Sequence, residues 1–269
     1  MRVPPPCLLC TPSALPPPPT SLYRRFADRS LELFSEAGIV LQPYPVDEDL
    51  LKAQGSSGSG DRAQRVDLTV SAYGCEDRIR QARIVLIEGG SALQVLNFCI
   101  FPDPSYALPS FAADLVTLPG GHLIALDYAP HGDVADDPIF NPSGELADAF
   151  ARHRPLLPDG GSIAEESSRF FSPYFLWSRL PLSEENEEII SSHVFEAFED
   201  YLRIYLAHVS AAQLATKRRA DSLDSQLSYS TYRAENDPAR PMLTRLYGEG
   251  FAERLISEVL FDLPLRMEA

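Results

Sequence analysis

Lysine is nearly absent from this chain. Lys52 and Lys217 are the only two among 269 residues, so the 23 basic side chains are almost all arginine, set against 38 acidic ones for a formal net charge of -15. So acidic a chain repels phosphate backbones and anionic lipid, which argues against nucleic acid and membrane surfaces as partners. No apolar run approaches the roughly 18 residues that a transmembrane helix needs. Cysteine is scarce too. Cys7, Cys10, Cys75 and Cys99 are too few and too scattered for a disulfide scaffold. Cys7-x-x-Cys10 has no second ligand pair to close a tetrahedral zinc site. Several signatures are missing altogether: a G-x-G-x-x-G after a strand, a G-x-x-x-x-G-K-[ST] loop, and an H-E-x-x-H helix. Their absence leaves Rossmann cofactors, P-loop chemistry and a catalytic metal without support. Ser172 lacks a G-x-S-x-G context, so a hydrolase elbow is also out. The expected class is a soluble protein of a reducing compartment, with no metal site.

What is present is an ordinary globular composition, 45% apolar and 23% charged, in a chain long enough to bury a sizeable core. The first 27 residues differ from the rest. They hold eight prolines, the arginines Arg2, Arg24 and Arg25, and no acid. Proline removes backbone donors and bars its predecessor from helix, so Met1 to Ser21 is expected to be a leader without regular structure. It reads either as the remnant of an organelle transit peptide or as a disordered proline-rich tail. The composition of this leader tilts the expected location towards a plastid stroma, with a cyanobacterium-like cytoplasm as the alternative. Residues 22–269 are expected to form one domain.

Within that domain the spacing of Leu22, Phe26, Leu33 and Phe34 predicts a helix ending at Gly38. The segment 55–61, GSSGSGD, reads as a flexible surface loop. Five short runs follow that are rich in Val, Ile, Leu and Phe, at 66–73, 80–89, 92–101, 113–118 and 122–129, with a further strand at 174–180. Gly89-Gly90 and Pro119-Gly120-Gly121 read as hairpin turns, so the strands should pair antiparallel. Helices are expected at 140–154, from Ser183 to about Ala215 with Ser183 as cap, and from Pro238 to Val259. Strands followed by helices predict an α+β fold with one antiparallel sheet covered by helices.

Two aspartates stand in unusual settings. Asp114 lies in PSFAADLVTLPGG, where strand alternation puts it on the opposite face from Leu115. There it is either a cap at the strand start or a desolvated carboxyl whose raised pKa suits proton donation. Asp237 directly precedes Pro238 and reads as a helix N-cap or as a second acid. Asn97, in LQVLNFCIF, must either satisfy itself in the core or meet a ligand. His122 and His131 take surface or strand-end roles by default. Residues 201–245 carry seven basic side chains (Arg203, Lys217, Arg218, Arg219, Arg233, Arg240, Arg245) against four acids, so this stretch is either a solvated face or a site for an acidic partner.

Longer blocks carry a resemblance. LQVLNFCIFPDPSYALPSFAADLVTLPGGHLIALD (93–127), YFLWSRLPL (174–182), AFEDYLRIYL (197–206) and YRAENDPARPMLTRLYG (232–248) with VLFDL (259–263) resemble the ferredoxin-dependent bilin reductases. The likeness runs from about Tyr44 to Leu263. It implies a three-layer α/β/α sandwich with a central antiparallel sheet, holding an open-chain tetrapyrrole between the sheet and the C-terminal helices. It also implies no bound cofactor. Reduced [2Fe-2S] ferredoxin delivers electrons singly, the bilin itself is the radical centre, and the protein positions the pigment and supplies protons.

On this resemblance Asp114 matches the sheet-side catalytic aspartate and Asp237 the helix-side one. Asn97 stands where the relatives that make phycocyanobilin carry a histidine, and asparagine cannot donate a proton near neutral pH. Ser172, Arg233 and Arg240 are expected against the pigment, the arginines at its propionates. Lys217, Arg218 and Arg219 are expected to dock ferredoxin, since a net -15 would otherwise slow encounter with an acidic partner. The blocks DLVTLPGGHLIALD, LPDGGSI (157–163) and YRAENDPARPMLTRLYG point to reduction of the A-ring diene of 15,16-dihydrobiliverdin to 3Z-phycoerythrobilin. An upstream bilin reductase would then supply the substrate. The alternatives are biliverdin reduction to 15,16-dihydrobiliverdin, a four-electron route to phycoerythrobilin, a non-catalytic bilin carrier, and an inactive docking scaffold.

Overall fold

The structure is a computed structural model that describes residues 21–75 and 78–268. Most of the proline-rich leader, with Cys7 and Cys10, lies outside the described residues. Ser21 is inside them, and its backbone N–H donates to the Glu88 carboxylate at 3.0 Å.

One antiparallel sheet of eight strands organises the chain: β1 (Gln42–Pro43), β2 (Lys52–Ser57), β3 (Gln64–Cys75), β4 (Ile79–Glu88), β5 (Gln94–Pro102), β6 (Ser110–Leu118), β7 (Gly121–Ala129) and β8 (Leu176–Leu180). From β3 to β8 the strands are neighbours in chain order, and β1 and β2 both pair with the outer edge of β3. The five expected strand runs and the sixth at 174–180 each correspond to one of these. β4 and β5 are buried almost throughout because both of their faces are covered. β6 alternates buried and half-buried positions, so its two faces meet different surroundings.

On one face Ile84, Leu96, Phe98, Phe111, Leu115, Ile124 and Tyr128 pack under α1 (Arg24–Glu36), α2 (Glu145–His153) and the helical run made of α4 (Glu184–Ile189) and α5 (Phe195–Ala211). A single-turn helix, α3 (Glu165–Ser168), stands in the connection between α2 and β8. Phe26 of α1 meets Phe195 and Phe198 of α5 edge-on, with ring centroids 4.9 and 5.3 Å away. The buried Tyr201 and Tyr205 hydroxyls donate to the carbonyls of Tyr174 and Pro109, each at 2.9 Å, so these large rings leave no stranded donor. Ser183 caps α4 as expected, accepting from the Asn186 N–H at 3.2 Å.

On the other face, Val66, Leu68, Val70, Val85, Ile87 and Val95 pack under α7 (Arg240–Tyr247), α8 (Glu249–Arg254) and the wide turn 255–260 that follows them. Helices α6 (Arg219–Glu235) and α9 (Leu263–Glu268) complete that layer. The result is the expected α/β/α sandwich.

Four local expectations are corrected. The helix from Pro238 to Val259 is broken into α7, α8 and the turn 255–260, because Gly248 adopts a positive φ of 88° at the junction. The helix from Ser183 is widened at 190–194 and stops at Ala211, where Ala212 turns extended. Residues 55–57 of the expected loop belong to β2. Helix α6 was not expected at all.

Candidate functional site

The half of the second face that α7 and α8 leave uncovered floors a cavity of about 260 Å³. Register builds the floor in two rungs. Val85, Asn97, Asp114, Ala125 and Trp177 lie directly opposite one another across β4 to β8. Arg83, Cys99, Ala112 and Asp127 form the next rung. Side chains opposite one another in a sheet sit about 5 Å apart, so the polar groups of these rungs are within mutual reach. The segment 162–177 supplies one wall, with Ile163, Phe170, Phe171, Phe175 and Trp177; Tyr229 and Arg233 of α6, Pro238 and Phe261 supply the other. Phe171 stacks on Phe175 at 4.2 Å and Phe175 on Trp177 at 5.9 Å, giving a flat aromatic surface. Flat apolar walls around a few polar groups suit a large conjugated ligand.

Asp114 faces this cavity while Leu115 beside it is buried in the opposite core, as alternation requires. Burial pushes the Asp114 carboxyl up. Its hydrogen bond from Asn97 and the charges of Arg233 and Arg83 pull the other way, while Asp237 adds to the rise. The Asn97 amide donates to Asp114 Oδ1 at 3.2 Å and its carbonyl oxygen accepts from Arg83. Arg233 has its Nε buried without a hydrogen-bond partner among the described residues. Burial alone would weaken that cation, but Tyr229, Asp237 and Asp114 hold it above the usual arginine range. A cation with spare donors in an apolar cavity suits a carboxylate-bearing ligand.

Asp237 adjoins the cavity through Pro238, and its charge acts on both Asp114 and Arg233. It also has the local role expected of it, since its Oδ1 accepts from the Ala239 N–H at 2.7 Å. Asn97, Asp114 and Arg233 therefore meet in one cavity with Asp237 at its margin. Two other expected ligand residues stand elsewhere. Ser172 is not in the cavity lining; its hydroxyl and N–H both donate to Asp127, at 2.5 and 3.0 Å. Arg240 points away, held by Glu253 and the carbonyl of Ala234, because it closes the end of α6 onto α8. Lys217, Arg218 and Arg219 are exposed at the start of α6, and none makes an ion pair among the described residues.

Asp127, Arg83 and Cys99 line the cavity without having been singled out from the sequence. Asp127 and Arg83 carry a recognisable signal, a charged residue on the alternation frame of an apolar strand, in HLIALDYA and RQARIVLIE. Asp127 is pushed up to about 6 by burial, against the lowering effect of its Ser172 hydrogen bonds. Among the described residues no three His, Cys, Asp or Glu side chains gather to hold a metal.

Comparison with known proteins places this cavity in a family. The family model for ferredoxin-dependent bilin reductase matches residues 31–262. The chain belongs to the ferredoxin-dependent bilin reductases. It is 48% identical over 224 residues to phycoerythrobilin:ferredoxin oxidoreductase of Parasynechococcus marenigrum (strain WH8102), covering 82% of this chain and 84% of that protein. It is 47% identical over 226 residues to the protein of the same name from Synechococcus sp. (strain CC9902), covering 83% and 87%. Among solved structures it is similar to tomato phytochromobilin synthase in complex with biliverdin. The TM-score is 0.78 at 30% identity, covering 90% of this chain and 83% of that one. This reductase is thus an oxidoreductase that takes electrons from ferredoxin and acts on a bilin.

Proposed function

We propose that this bilin reductase converts 15,16-dihydrobiliverdin to 3Z-phycoerythrobilin by reducing the A-ring diene. Two electrons arrive singly from reduced [2Fe-2S] ferredoxin and two protons are taken up by the pigment, which passes through a radical between the electrons. The observation that carries the reading is Asp114, a carboxyl on the floor of an aromatic-walled cavity with burial favouring its neutral form. A neutral carboxyl beside the pigment can protonate it, which makes the first electron easier to accept; Asp114 is left as carboxylate. Asp237 is the second candidate donor, from the helical side. Asn97 has its amide committed between Arg83 and Asp114 and holds no transferable proton near neutral pH. Arg233 is placed to receive a propionate. Relatives named phycoerythrobilin:ferredoxin oxidoreductase at 48% and 47% identity support this product over others of the family.

Electron delivery needs a docking face. The exposed, unpaired Lys217, Arg218 and Arg219 support contact with an acidic ferredoxin, and an upstream reductase is the source the substrate requires.

The test is anaerobic turnover with reduced ferredoxin, offering biliverdin and 15,16-dihydrobiliverdin separately and identifying products by chromatography. Phycoerythrobilin from the dihydro pigment alone is expected. Consumption of biliverdin would move the chain to a different reaction within the family, and binding without reduction would make it a carrier.

A further inference from the structure

On the cavity floor lies a cation that the mechanism above leaves without a task. Arg83 is 0% exposed, and no carboxylate pairs with it among the described residues. Its Nε donates to the Leu260 carbonyl at 3.1 Å, and its guanidinium lies 5.8 Å from the Phe101 ring and 5.6 Å from the Phe261 ring. Its Nη1 donates to the Asn97 side chain. Burying an arginine without a counter-ion is costly, and here Nη2 is left buried without a hydrogen-bond partner among the described residues, so an arginine at this spot calls for a role.

We infer that Arg83 is a positioning residue that, through Asn97, sets which oxygen of Asp114 carries the transferable proton. The inference rests on the reading of Asp114 as a proton source. Arginine can only donate, so Asn97 must turn its carbonyl oxygen to Arg83. Its NH₂ is then forced towards Asp114, where Nδ2 donates to Oδ1 at 3.2 Å. An oxygen that accepts an N–H is the poorer place for the acid proton, so a neutral Asp114 carries its proton on Oδ2. Oδ2 makes no hydrogen bond among the described residues and is not a buried atom, on a side chain that lines the cavity. The relay therefore aims the acidic O–H at the cavity. Without Arg83 the amide is free to turn over and the proton is free to sit on either oxygen. The charged and titratable groups that act on Asp114 from the elements around it are Arg83 on β4, Cys99 on β5, Tyr229 and Arg233 on α6, Asp237 before α7, and Tyr23 before α1. Of these, Arg83 is the one hydrogen-bonded to the partner of Asp114.

The experiment uses Arg83→Met, Asn97→Leu and the double variant. Two readouts are taken: the infrared titration of the Asp114 carboxyl in the pigment-free protein, assigned by subtraction of Asp114→Asn, and kcat and KM with 15,16-dihydrobiliverdin. Losing an N–H donor or a nearby positive charge disfavours the carboxylate, so each single variant should move the Asp114 midpoint upwards by about one pH unit. Each should lower kcat by about tenfold through misplacement of the proton, with KM within about twofold. The double variant should lose no more kcat than Asn97→Leu alone. An unmoved midpoint in Arg83→Met, or kcat losses that multiply in the double variant, would overturn the inference. If Arg83→Met does not fold, Asn97→Leu decides alone, and an undiminished kcat in it overturns the inference. The titration needs no pigment, so it stands even if turnover yields another product. Failure of Asp114 as donor would show separately, as full turnover in Asp114→Asn.

Discussion

At Asp127, burial and hydrogen bonding pull against each other. The side chain is 4% exposed, and burial raises it from 3.8 to about 6 although Ser172 donates to it twice. The folded state therefore holds a proton that the unfolded chain has already lost between about pH 4 and pH 6. Across that window stability falls as pH rises, by on the order of 2–3 kcal/mol, and above it the penalty stays constant. Asp127→Asn removes the titration. Melting temperatures from pH 4 to pH 7 should then fall more steeply in the unaltered protein than in the variant; parallel curves would contradict the assignment. Asp127 also shows what strand alternation can reveal at this scale and what it cannot. The same alternation that exposed Asp114 marks Asp127 and Arg83, yet their partners Ser172 and Asn97 lie 45 and 14 residues away in sequence. A pair of that kind is visible only once the sheet register is known.

The elements were legible where periodicity was strong. The strand runs from Val66 to Ala129 and the apolar stripe of α1 translate directly into the sheet and its covering helix. Helix α6 was illegible because the residues it buries, Ser222, Gln226 and Ser230, are polar and carry no apolar stripe. It packs over the end of the sheet with Gln226 donating to the Pro102 carbonyl at 3.2 Å, and it brings Tyr229 and Arg233 to the cavity. The glycines at 55–60 misled for a different reason. Composition reads them as flexible, but Gly55 sits in β2 where a Cβ would collide with the Leu246 carbonyl and come within 3.2 Å of the Tyr247 ring. Its missing side chain lets α7 lie on the sheet edge. Gly55→Ala should cost about 1–3 kcal/mol, read as a melting temperature lower by about 2–4 °C per kcal/mol. An unchanged melting temperature would show that β2 and α7 can part freely.

Across the whole molecule, two helical layers grip one sheet, but only one of its faces is sealed along its full width. The other is closed by α7 and α8 over β3 to β5 and left open over β5 to β8, which is where the aspartates, Asn97, the buried Arg83 and the half-buried Arg233 converge. The basic stretch 201–245 does not survive as a single surface. Arg203 is paired with Glu36 and Glu199, Arg240 with Glu253, and Arg233 faces the cavity. What remains exposed around the start of α6 is Lys217, Arg218 and Arg219. Arg218→Glu with Arg219→Glu should raise the ferredoxin concentration needed for half-maximal turnover by about tenfold at low salt and flatten its salt dependence. A salt dependence equal to that of the unaltered enzyme would place docking elsewhere.

Whether the sheet-side carboxyl supplies a proton to the bound pigment is read in one anaerobic single turnover. Asp114→Asn is loaded with 15,16-dihydrobiliverdin and reduced with ferredoxin while absorbance is followed. Pigment binding should match that of the unaltered enzyme, and phycoerythrobilin should form at least about 100-fold more slowly. Product appearing at the unaltered rate would rule out Asp114 as the proton donor.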